Sequence, residues 1–174
     1  MMTKEYRNSY SPLVWVLTTV HIVLFGVLVW LSLALFDGGY ITAWFVSLLV
    51  AVMALMMLSI PRKTVLTDDS VEIFCISDHT DIPYCEIVSV RELANRETRW
   101  LFPIFAAFGF FGYYGHYLNL RRMEAVKIYA TRWRGLVEIV DIYDDKYYIS
   151  CSDASDFIST VRERMAGRGG WQTA

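Results

Sequence analysis

Charged positions are unevenly spaced along this chain, and the gaps between them define its parts. No Asp, Glu, Lys or Arg occurs from residue 13 to 36, and none from 38 to 60. The first gap, 24 residues, would make a helix about 36 Å long at roughly 1.5 Å per residue, enough to cross a ~30 Å hydrocarbon core with some tilt. Sixteen of its residues are Leu, Ile, Val or Phe. Residues 41–60 give a second run, rich in Leu, Val, Ala and Met. Asp37-Gly38-Gly39-Tyr40 leaves room only for a tight turn, so residues 12–60 predict a transmembrane helical hairpin after a short segment, 1–11. A cleaved signal peptide has an apolar core of roughly 7–15 residues ending at small residues. The longer run ending Leu33-Ala34-Leu35-Phe36 does not fit that pattern.

Flanking charges orient the hairpin. Lys4 and Arg7 precede it, Arg62 and Lys63 follow it, and the turn holds only Asp37. Basic residues stay on the cytoplasmic side, which predicts both termini in the cytoplasm. Trp15, Trp30, Tyr40 and Trp44 fall near the ends of the spans, as interfacial anchors do. Ser47, Ala51 and Ala54 form a small-residue stripe that would let another helix approach closely. His21, near the middle of the first span, is expected to bond Thr18, or Ser47 across the hairpin.

After Pro61 the pattern changes to short alternating runs of β-branched and aromatic residues, the signature of strands. Strands are predicted over 63–67, 70–77, 82–91, 125–131, 136–143 and 146–151, with turns at Asp68-Asp69, at 78–81 and at Asp144-Asp145. Pro83 confines its strand to an edge or an entry. A closing helix begins near Ser152 or Asp153 as N-cap, carries Phe157, Val161 and Met165 on one face, and stops at Gly167. The expected fold is α+β and membrane-anchored: the hairpin, a small antiparallel β-barrel or sandwich over 61–166 capped by a helix, and a tail at 167–174.

Residues 100–120 form a third charge-free run. Pro103 and glycines at 109, 112 and 115 weaken any helix there, and arginines flank it on both sides, which argues against a third crossing. The run reads as a loop whose Trp100, Leu101, Phe102, Ile104, Phe105 and Phe108 pack on the bilayer surface or on the hairpin, with Arg96 and Arg99 at headgroup level.

Within it, Gly109-Phe110-Phe111-Gly112-Tyr113-Tyr114-Gly115-His116-Tyr117 precedes Val126-Lys127-Ile128-Tyr129-Ala130-Thr131, Leu136-Val137-Glu138-Ile139, Tyr147-Tyr148-Ile149-Ser150 and Asp153-Ala154-Ser155-Asp156-Phe157-Ile158. Together with Ile82-Pro83-Tyr84-Cys85-Glu86-Ile87, this series resembles the bacterial pleckstrin-homology-like domain of small membrane-anchored proteins, over about 62–166. The resemblance implies a barrel-and-helix fold, two amino-terminal spans and no catalytic residues. Asp153-Ala154 stands where that family often has a proline, a departure confined to the helix entry.

Composition supports this division. Hydrophobic residues make up 55% and charged residues 20% of 174, more apolar than an ordinary soluble domain. Net charge is −2, so no global field draws the chain to nucleic acid. Three cysteines, Cys75, Cys85 and Cys151, are too few for a disulfide framework and read as thiols in a reducing compartment. No Walker loop, HExxH, GxSxG or paired CxxC occurs, and Gly109–Gly115 spaces its glycines differently from a dinucleotide loop. Cys75, Asp78, His79 and Cys85 match no zinc spacing. No catalytic, cofactor or metal site and no small-molecule substrate is therefore expected.

The expected partners are the bilayer and a protein, or a second copy of the chain. The candidate partner or membrane surface is Trp100, Phe102, Phe105, Gly109, Phe111, Gly112, Tyr114 and Gly115. The alternative is anionic-lipid headgroup sensing through Arg121, Arg122, Arg132 and Arg134.

Overall fold

A computed structural model of the protein describes residues 4–7, 10–35, 39–77 and 79–168. Two helices lead: α1, Pro12–Leu35, and α2, Tyr40–Leu58. Pro12 stands at the first helical position, where its missing N–H costs nothing. Both helices are long and apolar enough to cross a membrane. Their outward faces carry exposed Val, Leu, Ile and Trp side chains. Two hydroxyls on α1 return their bonds to its own carbonyls, as suits a helix in an apolar solvent: Thr19 to Trp15 at 3.0 Å, Ser32 to Leu28 at 2.8 Å. His21 does the same through Nδ1, 2.7 Å from the Leu17 carbonyl, and uses neither Thr18 nor Ser47. The stripe of Ser47, Ala51 and Ala54 is exposed, so α1 does not lie against it. Asp37 and Gly38 of the expected turn lie outside the described residues.

Ten strands occur among the described residues: β1, Lys4–Arg7; β2, Pro61–Leu66; β3, Ser70–Cys75; β4, His79–Pro83; β5, Ile87–Glu92; β6, Leu101–Phe108; β7, Tyr113–Asn119; β8, Glu124–Ala130; β9, Leu136–Asp141; and β10, Lys146–Ser150. They form a four-stranded sheet, β1-β2-β3-β4, and a six-stranded sheet, β5-β9-β10-β8-β7-β6. The chain passes between sheets at Pro83: a 3-10 turn, Tyr84–Glu86, splits what reads in sequence as one strand over 82–91. All pairings are antiparallel except β10 with β8, which run parallel because β10 folds back from β9 into the gap beside β8.

Helix α3, Ala154–Arg168, closes the sandwich. The Asp153 carboxylate accepts the Asp156 N–H at 3.1 Å, so Asp153 rather than Ser152 is the cap. Helical geometry runs through Gly167 to Arg168, past the expected stop. Phe157 and Val161 are fully buried among Leu66, Val71, Ile73, Val137, Ile139 and Ile149 from both sheets. That cluster is the main core.

Two elements depart from the sequence reading. β1 was not expected as a strand: it pairs with β2, Tyr6 opposite Thr64, so the segments on either side of the helical pair lie together. Tyr6 and Lys4 both donate to the Asp156 carboxylate, at 2.5 and 2.8 Å, tying this edge to α3. Residues 100–120 are not a loop but the hairpin β6–β7. Its glycines break a helix, as expected, but they serve the turn. Gly109 (φ +84°), Phe111 (φ +52°) and Gly112 (φ +145°) reverse the chain, closed by the Gly109 N–H to the Gly112 carbonyl at 2.8 Å. Pro103 is accommodated at a register shift on the outer strand of the sheet, where a missing donor breaks no ladder.

Candidate functional site

The tip of β6–β7 meets the helical pair. Thr18, buried on α1, donates its hydroxyl to the Gly109 carbonyl at 3.0 Å and accepts the Phe111 N–H at 2.9 Å. Gly109 lies so close to α1 that a Cβ there would sit 2.7 Å from the Leu17 Cβ. The Phe111 ring packs edge-on against Trp15 at 6.1 Å, and Phe110 lies 6.2 Å from the His21 ring. On the other side the Tyr114 hydroxyl donates to the Met56 carbonyl at 2.8 Å, filling one of the last four acceptors of α2 that the helix itself leaves open. Phe110, Tyr114, Ala107 and Ile60 form a small core with Met53 and Met56 of α2. Burial raises the Tyr114 hydroxyl pKa well above that of a free tyrosine and keeps it a neutral donor.

This docking divides the candidate surface. Gly109, Phe111 and Tyr114 meet the helices, while Gly112 and Gly115 pack against the Ala130 carbonyl of β8 and the Phe105–Ala106 backbone of β6; Tyr114, 2% exposed, faces no outside partner. Trp100, Phe102 and Phe105 remain open, with Ile104 and Phe108. Phe105 is 84% exposed. All lie on or beside β6, which ends the six-stranded sheet and carries no charged residue. Residues Phe105–Ala107 run past α2, and with Val52, Leu55 and Ser59 they line a hollow of ≈ 370 Å³.

The four candidate arginines do not form one group. Arg121 and Arg122 sit in the β7–β8 turn, and Arg132 and Arg134 follow the far end of β8, a strand of seven residues or roughly 23 Å. Arg132 is structural: its guanidinium donates to the Cys151 carbonyl. Arg121 instead shares a hollow with Arg96, Arg99 and Trp100, and Arg122 lines the adjoining cleft with Glu97, Trp100 and Arg121. Sequence spacing hides this meeting, because β6 and β7 separate the two basic stretches.

Beside the cleft, Arg91 donates two bonds to Glu97, at 2.9 and 3.3 Å, and one to Glu138. Glu138, 3% exposed, also accepts the Tyr148 hydroxyl at 3.1 Å. The guanidinium holds the Glu97 carboxyl below its ordinary range. Arg91, Glu97, Glu138 and Tyr148 together join β5, the β5–β6 connection, β9 and β10.

Cys75 and Cys151 are buried and Cys85 is exposed, all three as thiols. Burial pushes the Cys151 thiol up to about 12, which makes it a core hydrophobe rather than a nucleophile. Among the described residues no three His, Cys, Asp or Glu side chains come together as a metal site; Asp78 lies outside them.

Two antiparallel-rich sheets packed face to face and closed by a carboxyl-terminal helix define a PH-like sandwich. Residues 62–165, more than half of the chain, match the model of the Bacterial PH domain family, and the protein belongs to that family. Neither a curated protein nor a solved structure matches the chain.

Proposed function

We propose that this protein is a non-catalytic membrane module. The helices α1 and α2 anchor it in a bacterial inner membrane, and its PH-like domain lies on the cytoplasmic face. There the open edge β6 gathers a protein partner of the same membrane.

The observation that carries this reading is the wedge of the β6–β7 tip between the helices. It fixes the domain to its anchor at two points, Thr18 and Met56, and leaves β6 running beside α2. A long apolar edge strand with unpaired backbone groups is a template for strand addition, and soluble proteins blunt such edges with charge, proline or bulges; Pro103 and its register shift interrupt the first half of β6 and leave Phe105–Phe108 regular. β6 has no charge, and aromatic side chains stand along it. Lys4, Arg7, Arg62 and Lys63 flank the helices on one side, in keeping with a cytoplasmic domain.

A photo-crosslinking residue placed at Phe105 in native membranes tests the reading, with Glu163 on the exposed face of α3 as control. A discrete protein adduct from position 105 and none from 163 is expected. Adducts to lipid alone at 105, or the same protein adducts from both positions, would remove the basis for a partner at β6.

A further inference from the structure

Net charge of −2 conceals a local excess of the opposite sign. The β5–β6 connection and the β7–β8 turn are held together by the Leu120 N–H bonded to the Trp100 carbonyl at 2.8 Å. Each is braced from within: the Thr98 hydroxyl donates to the Asn95 carbonyl at 3.0 Å, and the Asn119 side chain accepts the Arg121 N–H at 3.1 Å. Between them Glu97, Trp100, Asn119, Arg121 and Arg122 line a cleft of ≈ 300 Å³, continuous at Trp100 and Arg121 with a hollow of ≈ 690 Å³ lined also by Arg96 and Arg99.

The one carboxylate in this wall, Glu97, accepts two bonds from Arg91 and acts electrostatically on Arg121 and Arg122 as well, so a single negative charge is set against several guanidinium groups. Arg96, Arg99, Arg121 and Arg122 form no ion pair among the described residues. Four exposed guanidinium groups around one indole repel one another, and an anion placed among them relieves that repulsion. Guanidinium forks match phosphate oxygens in pairs, which makes phosphate the anion of best fit. Apolar side chains continue from the cleft in both directions. Leu120 and Met123 stand exposed on the turn, and Phe102, Ile104 and Phe105 lead along β6 toward α2. A soluble phosphate would have no use for this apolar margin; an amphiphile would.

We infer that the cleft of Arg96, Arg99, Arg121 and Arg122 with Trp100 binds the phosphodiester headgroup of an anionic phospholipid, drawn from the inner leaflet. The inference rests on the membrane placement proposed above, and deepens it by giving the domain a second, lipid-specific contact some nine residues along the hairpin from its tip. Arg132 and Arg134, at the other end of β8, have no part in it.

The test uses the full chain in a neutral detergent, mixed with equal amounts of phosphatidylglycerol and phosphatidylcholine, and reads bound lipid by native mass spectrometry. The expected result is at least tenfold preference for phosphatidylglycerol, lost at least tenfold in R99Q/R121Q and kept in R134Q. The charge-conserving R99K/R121K should fall between, because lysine lacks the paired donors, and an unchanged melting temperature in all three shows that they fold. Equal retention of the two lipids overturns the inference. So does a loss in R134Q as large as in R99Q/R121Q, or competition by inorganic phosphate as effective as phosphatidylglycerol itself. Failure of the underlying membrane placement is separately visible: carbonate washing would then strip the wild-type chain from membranes, whatever the cleft retains in detergent.

Discussion

Thr18 shows how much one side chain carries at the joint between helix and sheet. Its hydroxyl is at once donor to Gly109 and acceptor from Phe111. Thr18→Val keeps the shape and removes both bonds, leaving two backbone groups of the tip without partners, at a cost of about 1–3 kcal/mol each. A drop in the melting temperature of the detergent-solubilised chain is the expected outcome; an unchanged value would mean the tip is held by packing alone. Glu97 gives a pH dependence. Arg91 lowers its folded-state pKa below the ordinary 4.5, so its contribution to stability is complete above that pH and is lost as pH falls through the lowered folded value. Denaturant unfolding followed from neutral pH into the acid range should show a shallower acid limb in Glu97→Gln than in wild type. Equal slopes would show that the pair contributes nothing to stability. Glu97 and Arg91 are six residues apart in sequence and gave no signal there, because the turn that brings them together depends on where β6 docks.

Among the elements, α3 was the most legible. Phe157, Val161 and Met165 recur at helical spacing, Asp153 is a standard cap, and the helix buries that face between the sheets. Phe157→Ala should cost about 3–5 kcal/mol, since the ring is fully buried against both sheets. Chemical denaturation measures this, and a loss below ~1 kcal/mol would mean that the helix is only peripheral to the core. The β6–β7 hairpin was the least legible. Pro103 and three glycines argued against helix, which is correct, but the same residues also weaken the strand pattern. What rescues the strands is non-local: β8 pairs with β7 along its whole length, and Gly112 lets the Ala130 carbonyl approach where a Cβ would collide. β1 was missed for a related reason, because four residues have no periodicity to read and their partner lies across some fifty residues of helix.

For the whole molecule, the cysteines report topology. Cys85 is exposed on the domain, whereas Cys75 and Cys151 are buried, with the Cys151 thiol further silenced by its raised pKa. A membrane-impermeant maleimide should modify Cys85 alone, and only after the cells are opened. Modification in intact spheroplasts would place the domain on the outside and end the proposed arrangement. The wedge adds a mechanical expectation, since domain and anchor share the core of Ile60, Phe110, Tyr114 and Met56. The PH-like sandwich of the full chain should melt together with the helical joint.

Sequence alone determined the parts that depend on local chemistry. Two long uncharged runs can be nothing but very apolar helices; alternating β-branched residues made strands, and a capped amphipathic run made the closing helix. The family likeness over its PH segment was equally plain in the order of short motifs. Tertiary structure decided everything that depends on which distant backbone satisfies which. It turned the third apolar run into an edge hairpin, gave part of the candidate surface to an internal joint, split one group of arginines and assembled another. The reason is common to all four: a strand's neighbours, and hence what its side chains and turns face, are set by hydrogen-bond partners remote in the chain, and no local pattern records them.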